Sequence, residues 1–515
     1  MGKAKRVKAQ REEAQRRIDE AKDAKRRARR ETLVMVVAVI VVLAVVAGVV
    51  FGAVFAYKTV RSTGNYLRNK VAVYSEHFEV NNAMLAYIMY DNFDSSVSTY
   101  YYYYYYYYGF DYTSALKTQY YDEDSGTTWY DYFLDAAISI AESYLVLCEA
   151  AYAEGVELEE TDYLAIERCI QQIEYAASSV DYEIQDYLDE LCGVGVQEDD
   201  IRDALELYYL ALKYDYIIAD EAKATDEEIE EYYTENESDY IFVSYKTYTF
   251  EASYDDDADD DAIAEAQTEA SEAANALAAA TTSDEFDELL TEYLESLETD
   301  EDDITDALED AFVEDETEDE DKDYSVWLFD DERELYETTV IAEDDDTYTV
   351  YMITSLASRQ EYTTKTVRHI LFSTSYYEDD DACLAAAEAV LELFKSGDMT
   401  EDAFALLVAE YSDDSGSSAH GGIYDDILKG VFVDEFEDWA YDENREYGDV
   451  EIIESDYGYH IMFFVGDGMT AWMSDINDTL VEEEVEEVID ELSEVYTVTS
   501  DSSIASGIPD VNNQI

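Results

Sequence analysis

Proline is almost absent from this chain of 515 residues, which contains only Pro509. Proline-rich linkers and collagen-like structure are therefore excluded. Cysteine is also scarce, and four cysteines in a chain of this length do not form a disulfide scaffold. Positive charge is the third shortage, with 31 lysines and arginines against 126 aspartates and glutamates and a net charge of −95. Nucleic acid phosphates would repel such a chain, so we expect no binding to DNA or RNA.

Several catalytic motifs are missing as well. The sequence contains no GxSxG nucleophile elbow, no HExxH zinc motif and no phosphate-binding P-loop. The acidic runs at 255–261 and 314–323 lack the spacing of a calcium-binding EF-hand, so they are predicted to be solvated loops. We therefore expect no metal and no cofactor.

The few basic residues are concentrated at the N-terminus, where residues 1–31 carry a net charge of +7. An uncharged apolar segment follows at 33–57, long enough to cross a hydrocarbon core of ~30 Å. The positive-inside rule places residues 1–31 in the cytoplasm and everything after Lys58 outside. A cleaved signal peptide is the alternative, but its apolar region is normally only about 7–15 residues. The sequence thus predicts a single-pass protein of the cell membrane.

Residues 60–240 are predicted to be mostly helical, because apolar residues recur at helical spacing, most clearly at 129–154 and 161–177. The nine consecutive tyrosines at 100–108 are either a low-complexity loop or an aromatic surface that contacts unfolded chains. The cysteines of this region are either small core residues or, outside the cytoplasm, partners in a disulfide, namely Cys148, Cys169 and Cys192.

An internal repeat follows the helical region. Both copies read as an α+β unit of about 100 residues with a strand at each end and helices between. The aligned stretches are YKTYTF at 245–250 with VRHILF at 367–372, EFDELLTEY at 285–293 with AFALLVAEY at 403–411, and YTVYM at 348–352 with YHIMF at 459–463. A final acidic amphipathic helix at 472–496 is expected to pack back on the helical region.

The second copy holds His369 in its first strand and His460 in its last. The end strands of such a unit can be neighbours in the sheet, so we expect the two imidazoles to face each other. A lone strand histidine is more often a satisfied polar group, but the first copy has Thr247 and Thr349 at these positions and lacks the glycine-containing loop. This asymmetry favours a functional site in the second copy alone.

The motifs VRHILF, FALLVAEYSDDSGSSAHGG, DEFEDWAY and DYGYHIMFF resemble a parvulin-type peptidyl-prolyl isomerase domain. The order of the whole chain resembles the membrane-attached extracytoplasmic foldases of that family, in which one parvulin copy is often inactive. The resemblance implies a multidomain α+β fold, which we predict to comprise a basic cytoplasmic segment at 1–31, an anchor at 32–57, a mostly helical chaperone-like domain at 60–240, a degenerate parvulin-like domain at 241–360, a parvulin-type isomerase domain at 366–467, and a C-terminal helix and tail at 468–515.

The resemblance also implies roles for individual residues. His369 and His460 match the paired histidines of the family, and Asp414 matches a polar position that is Asp or Cys. With no family assignment, Asp414 is equally a residue that caps a loop. The resemblance makes these three residues the catalytic candidates.

The substrate-binding candidates are apolar. Phe432 and Phe436 match the floor that receives the proline ring, Ile423 matches another pocket wall, and Tyr457 matches a site that often holds a small hydroxyl or an aromatic residue. The two phenylalanines could also be ordinary core. The chain departs from the family at GGIYD, where GG-acid-Leu-Gly is usual and Tyr424 stands instead, and at position 432, where methionine is usual.

The resemblance implies a peptidyl-prolyl isomerase that assists exported proteins, with unfolded or partly folded clients containing X–Pro bonds as partners and the membrane contacted through 33–57. The alternative is a membrane-tethered holdase chaperone whose parvulin folds only bind clients. These two functions predict different effects of substituting His460 or Asp414, because only the isomerase depends on them.

Overall fold

The computed structural model describes residues 64–255, 258–319, 321–330, 332–414 and 416–510. The predicted basic segment at 1–31 and the predicted anchor at 33–57 lie outside these residues. Among the described helices, none combines the length and apolar character that crossing a membrane requires. The described cysteines form no disulfide with one another.

The described chain alternates a helical part with two strand-rich parts. Its helices are α1 (Asn65–Arg68), α2 (Asn82–Tyr108), α3 (Trp129–Glu154), α4 (Glu160–Ser179), α5 (Ile184–Leu191), α6 (Glu198–Glu221), α7 (Asp226–Glu235), α8 (Asp260–Leu277), α9 (Ser283–Ser296), α10 (Glu301–Asp310), α11 (Asp323–Leu328), α12 (Asp380–Ser396), α13 (Glu401–Tyr411), α14 (Asp434–Ala440), α15 (Ala471–Val495) and α16 (Ser502–Ala505). Its strands are β1 (Val71–Tyr74), β2 (Glu79–Asn81), β3 (Tyr120–Asp122), β4 (Thr127–Thr128), β5 (Phe242–Glu251), β6 (Phe312–Glu316), β7 (Thr338–Ala342), β8 (Thr347–Ser358), β9 (Thr363–Ser373), β10 (Ile423–Ile427), β11 (Val450–Ser455), β12 (Gly458–Thr470) and β13 (Thr499–Ser500). The multidomain α+β fold is as predicted.

The described residues divide into two compact units. Unit 1 holds the residues up to 149, together with 173–208 and the residues from 496 onward. Unit 2 holds 150–172 and 209–495, and therefore contains both strand-rich parts.

In unit 1, the two ends of the described chain meet in one small sheet. Strand β13 pairs antiparallel with β1, and β2 lies on the other side of β1. The Asn82 side chain donates to the Ile504 carbonyl at 2.8 Å, which fastens the C-terminal turn to helix α2. The chain's proline, Pro509, lies against Gly193, where a Cβ atom would stand 2.3 Å from the proline Cβ. Glycine at 193 therefore leaves room for the proline ring.

The tyrosine run at 100–108 forms the C-terminal part of α2, so of the two alternatives for this run the low-complexity loop is wrong. Gly109 ends the helix in the left-handed conformation, with φ of 64°. One tyrosine of the run, Tyr104, is buried and packs on Trp129 with ring centroids 5.0 Å apart. Others face solvent, and Tyr102 is 84% exposed. The contact with Trp129 joins this part of α2 to the first residue of α3.

In unit 2, the two repeat copies form two antiparallel four-stranded sheets with equivalent strand orders, β6–β5–β8–β7 and β10–β9–β12–β11. The central strands of both copies were predicted. The edge strands were not, and β6 covers part of the acidic stretch at 314–323 that was predicted to be a loop. Edge strands are short and exposed on one side, so their sequences carry little apolar alternation.

Each face of the second sheet packs on its own helices. Helices α12 and α13 cover one face, where Ile370, Phe404 and Phe463 are fully or almost fully buried. Helix α14 covers the other face, with Phe436 and Trp439 packed against strand residues. This division determines which strand side chains point into the core and which face α14.

The C-terminal helix α15 packs on α7, as expected from its amphipathic sequence. Trp472 and Ile476 of α15 form a buried cluster with Ile229 and Tyr240. The guanidinium of Arg359 covers the Trp472 ring at 3.9 Å.

We predict that Gly422→Ala destabilises the second sheet more than Gly448→Ala. Both glycines have positive φ, 72° and 87°, so alanine is strained at either position. At 422 the new Cβ would also stand 2.3 Å from the His369 carbonyl oxygen, whereas at 448 nothing lies within 4 Å. Overpacking of this kind costs about 1–3 kcal/mol.

Hydrogen exchange measures this difference directly, because the His369 amide donates to the Gly422 carbonyl at 2.8 Å. We expect the free energy of opening at that amide to fall further in Gly422→Ala than in the Gly448→Ala control. Equal exchange in the two variants would contradict the prediction.

Candidate active site

The two strand histidines of the second copy meet on the face of the sheet that α14 covers. In the antiparallel pairing of β9 and β12, His369 lies opposite Met462 and His460 lies opposite Leu371, so the histidines are diagonal neighbours on one face. Their Nδ1 atoms are 3.1 Å apart and their rings are inclined by only 19°. Both side chains are buried. The prediction that the imidazoles face each other is confirmed.

The histidine pair is the middle of a longer hydrogen-bond chain. His369 Nε2 lies 2.7 Å from Oδ2 of Asp414, and His460 Nε2 lies 2.8 Å from Oγ of Ser455. An ionised carboxylate only accepts, so His369 donates to it from Nε2. In a neutral His369 the Nδ1 atom then accepts from Nδ1–H of His460, whose Nε2 accepts from the Ser455 hydroxyl. All these polar atoms are satisfied with both rings neutral.

The Asp414 carboxylate accepts hydrogen bonds from four donors. Besides His369, its Oδ2 accepts from the hydroxyls of Ser417 at 2.5 Å and Tyr424 at 3.0 Å, and its Oδ1 accepts from the Gly416 amide at 3.0 Å. Burial raises the pKa of Asp414, but the hydrogen bond and charge of His369, with the Ser417 and Gly416 donors, lower this pKa more, so that it lies below its usual value. The carboxylate is therefore ionised at neutral pH.

The site favours the uncharged form of His460, whereas it favours the charged form of Asp414. Burial, with the neighbouring His369 ring, lowers the pKa of His460 to about 3. The site at neutral pH thus holds one fixed negative charge, on Asp414, beside a neutral His460. Within the described ranges, no group of three or more histidines, cysteines and carboxylates is placed to hold a metal ion.

Three aromatic rings, those of Phe432, Phe436 and Tyr424, cluster next to the histidines and would line a pocket for an apolar group; they are called the aromatic pocket below. Phe432 and Phe436 are stacked, with centroids 4.8 Å apart, and Tyr424 meets Phe432 edge-on at 4.9 Å. Phe436 also contacts both imidazoles edge-on, at 5.5 Å from His369 and 5.8 Å from His460. The structure therefore brings together five of the predicted site residues, namely His369, His460, Asp414, Phe432 and Phe436, and adds Tyr424 to them.

Glu437, which the sequence did not single out, holds Phe432 in place. Its carboxylate accepts from three successive backbone amides before α14, those of Gly430, Val431 and Phe432, at 2.8–3.0 Å. An acidic side chain in the first turn of a helix is also favoured by the helix dipole. The turn that presents Phe432 to the pocket is thus fixed from α14.

Two of the predicted substrate-binding residues lie away from this pocket. Ile423 is opposite Arg368 in the sheet, on the face that α12 and α13 cover, whereas Tyr424 is opposite Val367 on the histidine face. Ile423 was predicted to form a wall of the pocket, but Tyr424 lies there instead, because adjacent strand residues point to opposite faces of the sheet. Tyr457 lies in the turn between β11 and β12 and is 63% exposed.

Three hydroxyl groups of the site were not predicted from the sequence, those of Ser455, Ser417 and Tyr424. Ser455 is the last residue of β11 and reaches His460 because Ser455 and Gly458 close a tight hairpin. Ser455 can be recognised from the sequence, because it is a hydroxyl residue five positions before the strand histidine, on the other side of a turn that contains glycine. Ser417 required knowledge of the loop conformation, which residue spacing does not supply.

The first copy keeps the scaffold without the network. The Thr247 amide donates to the Ala311 carbonyl at 2.8 Å, as the His369 amide donates to Gly422, so Thr247 and His369 are structurally equivalent. Thr349, the counterpart of His460, instead shares a hydrogen bond of 2.9 Å with the Thr249 hydroxyl. The expected asymmetry between the copies is present in the structure.

Comparison with known families and proteins agrees with this geometry. Residues 369–465 match the rotamase family, the PPIC-type PPIASE domain. The chain is 39% identical over 100 residues to the foldase protein PrsA of Halalkalibacterium halodurans, which covers 19% of this chain and 28% of that protein. It is 42% identical over 77 residues to foldase protein PrsA 4 of Bacillus cereus, which covers 15% and 25% respectively. The resemblance to parvulin-type isomerases of the PrsA type is confirmed.

The similarity is confined to part of each protein, since the chain spans less than a third of the length of these curated relatives. Among solved structures, the peptidylprolyl isomerase PrsA of Bacillus cereus is 26% identical and covers 26% of this chain and 49% of that chain, with a TM-score of 0.18. A score that low supports no conclusion about the arrangement of the whole chain.

The low pKa of His460 predicts a loss of stability in acid. The unfolded histidine binds a proton near pH 6.5, whereas the folded one does so only near pH 3. Between these two pH values the unfolded state therefore binds more protons than the folded state. The free energy of unfolding falls as the pH falls, by up to about 1.4 kcal/mol per pH unit. Other groups titrate in the same range, since burial raises the pKa of Asp91 to about 6. The difference between wild type and a variant without the imidazole therefore isolates His460, down to about pH 5, where the unfolded Asp414 begins to bind a proton.

Hydrogen exchange of β12 amides across this range, in wild type and in His460→Gln, measures the effect. We expect the opening free energy to fall less steeply with pH in His460→Gln, while His77→Gln in unit 1 keeps the wild-type slope. Parallel curves for wild type and His460→Gln would show that His460 titrates normally in the folded protein.

Proposed function

We propose that this chain is a parvulin-type peptidyl-prolyl cis–trans isomerase that acts as a foldase for exported proteins. The observation that carries the proposal is the buried His369–His460 pair, hydrogen-bonded to Asp414 and lying beside the pocket of Phe432, Phe436 and Tyr424. The match of residues 369–465 to the rotamase family supports it independently.

The reaction requires rotation about an X–Pro bond, without a covalent intermediate. The uncatalysed bond isomerises in tens to hundreds of seconds, because rotation breaks amide resonance across a barrier of about 18–20 kcal/mol. A site that binds the twisted amide more tightly than the planar amide lowers this barrier. The pocket of Phe432, Phe436 and Tyr424 would hold the proline ring and keep water from the amide.

The polar end of the site would act on the carbonyl side of the bond. Amide resonance places negative charge on the carbonyl oxygen, and twisting the bond removes part of it. The fixed negative charge of Asp414 therefore disfavours the planar amide more than the twisted one. The two buried histidines, whose hydrogen-bond chain ends at Ser455, would keep that charge in place and leave few waters to screen it. Asp414 acts here through its field and not as a nucleophile.

We also propose that the protein is anchored in the cytoplasmic membrane, with its folded part outside. The uncharged segment 33–57 and the preceding net charge of +7 support this topology. The clients would be unfolded or partly folded exported proteins that contain X–Pro bonds. The acidity of the chain favours basic clients, through an attraction that salt weakens.

A second candidate function is client holding without catalysis. The solvent-facing tyrosines of α2, among them Tyr102, Tyr106 and Tyr107, offer a large amphipathic area for unfolded chains. The first copy, which lacks the histidine pair, would contribute binding only. The two functions are compatible within one chain, and the substitutions below separate them.

Exchange NMR on a short X–Pro peptide, with catalytic amounts of the full chain, tests the isomerase. We expect accelerated cis–trans exchange that falls at least about tenfold in either variant, His460→Ala or Asp414→Ala. Asp414→Ala removes the charge that acts on the carbonyl, and His460→Ala removes the ring that holds His369 against Asp414. His77→Ala is the matched control, since this histidine pairs with Glu149 in unit 1. Suppression of client aggregation should remain in all three variants. Failure of the wild-type chain to accelerate exchange for any residue X would leave only the holdase.

Labelling of intact cells with a membrane-impermeant amine reagent tests the topology. We expect lysines after position 58 to react and those within residues 1–31 to react only after the cells are lysed. Labelling of residues 1–31 in intact cells would reverse the proposed orientation, and cleavage after residue 57 would identify a signal peptide instead.

A further inference from the structure

The loop that carries Asp414 is held from outside the domain that matches the rotamase family. This loop connects α13 with β10 and includes the adjacent residues Asp413 and Asp414. The Asp414 carboxylate contacts His369, whereas the Asp413 carboxylate contacts Arg168 and Gln172 of α4. One short piece of backbone thus links the histidine network to a helix of the chaperone-like region.

The contact at Asp413 is a buried charged pair. Its side chain is 0% exposed and receives Arg168 Nη2 at 2.5 Å and Gln172 Nε2 at 3.1 Å on the same oxygen. Its other oxygen accepts from the Ser373 amide at 3.0 Å, and its own amide donates to the Leu371 carbonyl at 2.8 Å. A buried carboxylate requires such partners, because an unpaired buried charge costs several kcal/mol. The helix therefore determines where Asp413 lies relative to strand β9.

The other end of the loop meets α6. The ring of His420 stacks on Tyr216, with centroids 3.9 Å apart and planes inclined by 19°. Helices α4 and α6 are joined next to these contacts by Lys213, whose Nζ lies 2.9 Å from the Asp162 carboxylate. All these residues belong to unit 2. Two linked helices therefore hold the loop at both ends.

We propose that Arg168, Gln172 and Tyr216 are positioning residues for the isomerase site, which keep Asp414 in hydrogen-bonding distance of His369. This inference rests on the proposed isomerase function and adds that the active site is incomplete without the helical region. Catalytic groups must be placed to within about 0.5 Å, and an error of about 1 Å costs up to a hundredfold in rate. None of the three residues touches the aromatic pocket in the contacts described above, so substrate binding should depend on them little.

The decisive variant is Arg168→Met in the full chain, assayed by exchange NMR on an X–Pro peptide. We expect kcat to fall about tenfold or more while KM stays close to the wild-type value. We also expect the ¹⁵N signal of the His369 Nε2 atom to shift, since that atom reports the bond to Asp414. Arg202→Met, which removes the arginine of an ion pair with Glu198 in α6, is the matched control and should leave both readouts unchanged.

Two further variants separate positioning from folding. Asp413→Asn combined with Arg168→Met removes both charges, and we expect it to recover stability without recovering kcat fully. Gln172→Met removes one neutral hydrogen bond, so it should fold even if Arg168→Met does not, and should lower kcat to a smaller extent. The inference would be overturned if folded Arg168→Met had wild-type kcat and an unshifted His369 signal. Should Arg168→Met not fold, the same result in Gln172→Met would overturn it. Inactivity of the wild-type chain would instead overturn the proposed function.

Discussion

The hydrogen bond between the Nδ1 atoms of His369 and His460 constrains most of what surrounds it. It exists only if β9 and β12 pair in the observed register, because a shift of one residue would turn one imidazole to the opposite face. Burial of this pair then requires polar partners at both outer nitrogens, which Asp414 and Ser455 provide. The loop after α13 supplies the first of these partners and the last residue of β11 supplies the second. The aromatic pocket adjoins the pair through Phe436, which contacts both rings.

Elements with a long apolar repeat along the chain were predicted from the sequence. Features that depend on contacts between residues distant in sequence were not predicted. Helices and central strands have enough apolar repeats to be recognised, and the alignment of Thr247 with His369 followed from them. The exchange of roles between Ile423 and Tyr424 depends on which face of β10 is buried, and that strand was not recognised. The hydroxyl of Ser455 depends on the geometry of a turn. Which tyrosine of the run is buried depends on contacts with residues outside it, such as that of Tyr104 with Trp129.

The two copies show that the sheet and the site are separable. The first copy retains the strand order and the equivalent backbone bond at Thr247, yet its Thr349 is satisfied by a neighbouring hydroxyl. The Thr349 hydroxyl finds its partners, Thr249 and Glu343, within its own sheet and the adjacent turn. The histidine pair instead needs Asp414 from the loop after α13, because its outer nitrogens cannot remain buried and unpaired. In the second copy, the histidine pair and the glycine-containing loop therefore depend on each other.

The pairing of β13 with β1 has a consequence for synthesis. Unit 1 receives its third strand, and the turn that binds Asn82, only from residues 499–508. Unit 2 lies almost entirely between the two parts of that sheet in sequence, so a ribosome makes it completely before unit 1 can close. Domains otherwise tend to fold from the N-terminus onward as the chain is made. Here β1 and β2 are synthesised early, but their sheet is completed only when β13 is made. Until then, the growing chain contains all of unit 2 and an incomplete unit 1.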